Sequence, residues 1–137
     1  MTAARWNLLL GLAIVAGALA WLVKFVVIWA TEGRETVSGT SALLWDFGLF
    51  LLAGGAIGIA LRLTRRNLLI IRIAASLLAP PLFFLLFLAI DFLVRSVIPN
   101  GWPSYVRDEA GIAVTAAVWF VLGLMVMASH RRVGESG

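Results

Sequence analysis

Arg62-Leu63-Thr64-Arg65-Arg66-Asn67 is an Arg-rich link between two long apolar runs. Upstream of it, one run covers about residues 42–61; downstream, another covers about 68–94. Further out lie a first run over about 6–30 and a last one over about 110–129. Each matches or exceeds the ~20 residues that cross ~30 Å of hydrocarbon. A segment in lipid must satisfy every backbone N–H and C=O internally, so such runs are helical. The expected fold class is an all-α integral membrane protein, with four transmembrane helices in an up-down bundle. Residues 1–137 would form that single four-helix transmembrane domain.

Composition agrees. The chain is 62% hydrophobic and 13% charged, about half the charged share of a soluble domain. Too little polar surface exists to coat a water-soluble globule, so lipid must solvate most side chains. The net charge of +4 would suggest nucleic acid in a soluble protein. Here the basic residues flank apolar helices, which points to topology and anionic headgroups and to no nucleic-acid partner. The chain has no cysteine, which removes disulfides, thiolate catalysis and thiolate metal sites. Arg outnumbers Lys ten to one, a usage that fits a GC-rich bacterial genome and hence a bacterial plasma (inner) membrane.

The link also sets the expected orientation. Arg62, Arg65 and Arg66 share a side with Arg5 before the first run and Arg131 and Arg132 after the last. Arg34, Arg95 and Arg107 fall on the other side, near Glu32, Glu35, Asp91, Asp108 and Glu109. The bias places both termini in the cytoplasm. Arg5 followed by an apolar stretch and Ala18-Leu19-Ala20 imitates a signal peptide. The stretch continues to Ala30, too long for such a segment, so it is expected to remain as a span.

Between the spans, Thr40 or Ser41 is the expected N-cap of span two. Pro99-Asn100-Gly101-Trp102-Pro103 reads as a turn, and Ser104 as the cap of a helical lead into span four. Trp29, Trp45, Trp102 and Tyr105 at one level, and Trp6 at the other, are expected interface anchors. Pro80-Pro81 at the centre of span three predicts a kink.

Small residues mark packing faces, because helices in lipid associate where backbones approach closely. Ala13, Gly17 and Ala20 form a stripe on span one that continues to Lys24. Gly54-x-x-x-Gly58 does so on span two, and Ala113 and Ala117 on span four. These faces are expected to pack within the bundle. The alternative use of Gly54/Gly58 is a homodimer or a larger membrane complex.

Three ionisable residues lie inside the spans: Lys24, Asp46 and Asp91. Up-down topology puts them at one depth. A charge in hydrocarbon is costly, and a Lys with two Asp offsets that cost by pairing. One reading is a buried network that fixes helix register; another is a polar vestibule with a cation-binding or protonatable carboxylate. Arg72, near the other end of span three, is expected to reach toward headgroups.

Enzyme chemistry finds no footing. His130 stands alone in the basic tail, so no zinc site is expected, and no nucleophile–base pair is visible. The flanks Leu44-Trp45-Asp46-Phe47-Gly48 and Ala89-Ile90-Asp91-Phe92 lack the Gly-x-Gly-Asp signature of intramembrane aspartyl proteases. Four-span small multidrug transporters carry a carboxylate in span one, where this chain has Lys24. No phosphate loop or haem-attachment motif occurs, and no cofactor is expected. The expected function is that of a non-enzymatic accessory, assembly or structural membrane subunit. The competing expectation is a small oligomeric transporter or channel using Lys24, Asp46 and Asp91.

Overall fold

The computed structural model describes residues 2–34 and 39–135, the side chains of 130–135 excepted. The described residues form four helices and no strand: α1 (Ala3–Ala30), α2 (Thr40–Leu63), α3 (Leu69–Val97) and α4 (Ser104–Glu135). All four contain a stretch long and apolar enough to cross a membrane, in α4 over Ser104–Ser129. The helices run past the apolar runs because polar residues near headgroup level cost little there. The largest extension is at α4, where the expected helical lead is continuous with the apolar run; Ser104 is its first residue and not its cap, since the Pro103 carbonyl accepts from the Arg107 N–H at 3.2 Å.

Local chemistry sets the ends. Thr2 caps α1, its Oγ1 accepting from the Arg5 N–H at 3.3 Å. At the other end Gly33 takes φ 82° and donates its N–H to the Ile28 carbonyl at 2.9 Å. A Cβ on Gly33 would meet the Tyr105 side chain at 2.9 Å, so this turn rests on the start of α4. The expected hydroxyl cap of α2 is not used. Gly39, at φ 65°, is the N-cap residue and offers no side-chain cap. Thr40 and Ser41 are therefore inside the first turn, and Ser41 is fully buried. α3 passes through Pro80 and Pro81 as one helix. The two prolines leave the carbonyls of Ser76 and Leu77 without a helical N–H donor.

α1 is the centre of the packing. It lies against α2 and α4, and α3 closes the ring by touching both of those. Glycines decide how closely the helices meet. Gly17 faces Gly48 and Leu52, Gly55 faces Ile14, and Gly58 faces Leu10. Gly11 and Gly123 bring α1 and α4 together.

Gly54 does not join Gly58 on this surface. It is exposed and has nothing within 4 Å of where its Cβ would stand. One residue is about 100° of helix rotation, and the inward glycine is Gly55. A similar rotation applies on α4, where Ala117 is exposed and Ala113 only half-buried. The buried face there carries Gly111, Ile112, Thr115, Ala116 and Trp119. On α1 the expected stripe faces inward, with Gly17 and Ala20 buried and Ala13 half-buried.

Above this close packing sits an aromatic cluster that joins all four helices. Trp21 and Trp45 stack with centroids 4.9 Å apart and planes 2° from parallel. Phe87 tilts against both rings, and Phe83 bridges Trp21 to Trp119. Trp45 thus belongs to the core contact rather than to an interface belt, because its neighbour Gly48 leaves room for Trp21. Trp29 and Trp102 are exposed, as belt residues should be.

The assignment of faces makes a direct prediction. A Cβ on Gly111 would fall on the Asp91 carboxylate and 2.7 Å from its Cα, so backbone must move. Gly111→Ala therefore lowers stability by about 1–3 kcal/mol. Gly54→Ala is neutral, or gains up to ~1 kcal/mol from helix propensity. Unfolding both variants in micelles by SDS titration checks this; equal losses would contradict the assigned faces.

Candidate functional site

Lys24, Asp46 and Asp91 lie at matching distances from their helix ends. Lys24 lies six residues before the end of α1, Asp46 six after the start of α2, and Asp91 six before the end of α3. They do not share a side. Lys24 pairs with Glu109 on α4, Nζ to Oε2 at 2.6 Å, with side chains only 6% and 13% exposed. Its ammonium also stands 5.4 Å from the Trp45 ring centroid, a favourable cation–π placement.

Asp91 finds another cation. Its Oδ2 accepts from Arg95 Nε at 2.8 Å, one turn along α3. Arg95 Nη1 then reaches Asp108 at 3.1 Å on α4. Asp91 Oδ1 is buried against Gly111 and has no hydrogen-bond partner among the described residues. Two ionic links therefore converge on the first turns of α4, one from α1 and one from α3. The first is sheltered, and the second is half open to solvent on the Arg95 side.

Asp46 is separate. It is exposed and has no ion pair or hydrogen bond from its side chain among the described residues. Its surroundings on α2 are the exposed apolar side chains Leu43, Phe47 and Phe50. The three-residue cluster expected from the sequence is thus two paired sites and one outward carboxylate. The physical reason is rotation: Trp45 turns inward to stack on Trp21, and its neighbour Asp46 is carried outward with Gly54.

Three contributors were missed by sequence reasoning. Glu109 was expected in the early turns of the helical lead into span four, but not as the partner of Lys24. Trp21 follows Ile14, Gly17 and Ala18 at helical spacing, which would have put it on the inner face. Gly111 is the third; its absent side chain is what admits Asp91.

At the other end, Arg62 Nη2 donates to Ser129 Oγ at 3.3 Å and ties α2 to α4. Arg65 and Arg66 are exposed in the link, and Arg72 is half-buried. The backbone of α4 carries Arg131 and Arg132, whose side chains lie outside the described residues, as does Glu35.

The ion pairs connect α1 to α4 and α3 to α4. A buried Lys–Glu pair fixes rotation and register, because either charge without the other is costly in a low-dielectric interior. Comparison with protein-family models, with curated proteins and with solved structures found no match to this chain.

Proposed function

We propose that this protein is a non-enzymatic accessory or assembly subunit of a membrane complex. In this reading its four helices form an up-down bundle in a bacterial plasma membrane, with both termini in the cytoplasm. Support for the orientation is the Arg bias of the α2–α3 link and both termini. Support for the topology is the antiparallel pairing of contacts: Gly11 of α1 with Gly123 of α4, and Lys24 with Glu109.

The observation that carries the function is Asp46. The other two ionisable residues expected in the charge cluster, Lys24 and Asp91, are paired within the chain, whereas Asp46 faces outward among Leu43, Phe47 and Phe50. A carboxylate facing lipid is unfavourable, and a cation on a neighbouring helix at the same depth relieves it. The fitting partner is therefore a transmembrane helix with an Arg or Lys at that depth and an apolar flank. The transporter reading draws less support, since Lys24 is occupied by Glu109 and stacked over Trp45.

Native mass spectrometry of the protein released gently from its own membrane tests the proposal. The expected species is a stoichiometric complex with a second membrane polypeptide. Asp46→Ala releases that partner, while Asp108→Asn, at an exposed carboxylate on the same end, does not. A homodimer or larger ring insensitive to Asp46→Ala would reject the accessory role and favour an oligomeric channel.

A further inference from the structure

At the end of the molecule opposite Lys24, a cleft of about 700 Å³ opens between the start of α1 and the α2–α3 link. Arg62, Arg65, Arg66 and Arg72 line it, with Asn7 and Trp6 on the α1 side. No acidic residue among the described residues lines it. We infer that this cleft binds a phosphate-bearing anion, and that the anion is the headgroup of an acidic phospholipid.

Four observations carry the inference. First, four guanidinium groups around one cleft repel one another, and an anion between them relieves that repulsion. Second, Arg72 Nε is buried with no hydrogen-bond partner. An unpaired buried charged donor is costly, and a ligand oxygen would satisfy it. Third, Asn7 is only 5% exposed, lines the cleft, and its side chain has no hydrogen bond among the described residues. It is a second polar group held ready without a protein partner. Fourth, α1 and α3 both start at this end, neither has an acidic residue in its first turn, and α3 has no side-chain cap. Their dipoles add positive potential where the arginines already stand.

Phosphate suits this donor set better than a carboxylate or halide. Guanidinium forks bind its oxygens two at a time, and several forks fit around one phosphate. A lipid source suits the place. Arg72 lies in the first turn of α3, next to exposed Ile71 and Ile73, so the cleft opens at the level where acyl chains begin. Trp6 at its edge is partly exposed, as aromatic side chains at headgroup level are. Basic clefts between transmembrane helices are a known setting for acidic headgroups. The volume leaves room for a glycerol beyond the phosphate.

The test titrates the intact protein, in a neutral detergent, with phosphatidylglycerol and separately with phosphatidylcholine, and counts bound lipid by native mass spectrometry. Phosphatidylglycerol should bind about tenfold tighter or more. Arg72→Gln should remove about tenfold of that affinity and leave phosphatidylcholine unchanged. Arg72→Lys, which keeps the charge without the fork, should recover part of it. If Arg72→Gln does not fold, Arg65→Gln/Arg66→Gln, changed only at exposed positions, must show the loss instead. Arg5→Gln, outside the cleft, should change nothing. Equal binding of the two lipids, or an equal loss with Arg5→Gln, overturns the site. Displacement of phosphatidylglycerol by inorganic phosphate at the same concentration overturns the lipid assignment.

Discussion

Glu109→Ala destabilises the protein in micelles by about 3 kcal/mol, among the larger losses expected from a single side chain that sits near a helix end. The variant removes the partner of Lys24, which is 6% exposed and has no other carboxylate within ion-pair distance among the described residues. Breaking a buried pair on one side costs about 3–5 kcal/mol, because the remaining charge stays in a low-dielectric site. The lower end applies here, since a Lys six residues from the end of α1 can partly snorkel. Replacing both partners behaves differently. Lys24→Met/Glu109→Leu keeps volume and removes both desolvation costs, so it should return to within about 1 kcal/mol of the parent. Reversible SDS unfolding of the parent, the single and the double variant measures this cycle. A single variant as stable as the parent would mean that water already reaches Lys24. A double variant no better than Glu109→Ala would mean that the pair acts through packing rather than charge.

That pair also marks where sequence reading ran out. The spans were legible because length and mean hydropathy do not depend on which way a helix faces. Facing is another matter. Each of these helices is apolar nearly all round, so no amphipathic stripe tells the inside from the outside. A single step along α2 separates Trp45, stacked in the core, from Asp46 on the outer surface. The same step separates Gly55 from Gly54. Small residues showed that close packing occurs, but not at which of two adjacent glycines. Glu109, though expected in the helical lead into span four, lay outside the apolar run in which intramembrane charges were sought. A run bounded by hydropathy stops at its first charge, whereas the helix continues outward through Asp108 and Glu109 to Ser104. Carboxylates are favourable near a helix N-terminus, so the charges that ended the apolar run belong to the first turns of α4.

The two ends of the molecule are built on opposite principles. At the Lys24 end, Lys24 and Arg95 pair with carboxylates across three helices, although Arg107 Nε is buried without a hydrogen-bond partner there, and Gly33 seats the turn after α1 on Tyr105. At the Arg72 end, no lining carboxylate among the described residues balances the arginines. Ionic links within the chain close the first end, so changes there should appear in stability. The second end depends on what surrounds it, so changes there should appear in lipid preference. Glu109→Ala and Arg72→Gln should therefore differ in kind. The first should shift the unfolding midpoint with any lipid, and the second should do so only when acidic lipid is present.

Trp21→Ala is the other large effect. Trp21 is fully buried, stacks on Trp45, touches Phe83 and Phe87, and donates its Nε1–H to the Trp45 carbonyl at 3.1 Å. Truncating a buried Trp costs about 3–5 kcal/mol in a soluble core. Part of that figure is transfer of apolar surface from water, and that part shrinks when the unfolded helices remain in a micelle. What survives is the cavity: the ring contacts are lost, and a sealed space between four helices has nothing to refill it. The expected loss is therefore about 3 kcal/mol. Trp21→Phe keeps a stacking ring and loses the indole hydrogen bond, so it should cost about 1 kcal/mol. Trp29→Ala, at an exposed ring with no comparable packing, should cost less than either. The order of the three in one SDS titration decides the matter. If Trp21→Ala fell no further than Trp29→Ala, the aromatic cluster would not be what joins α1 to its neighbours, and the glycine contacts between Leu10 and Gly58 and between Gly11 and Gly123 would have to carry the association alone.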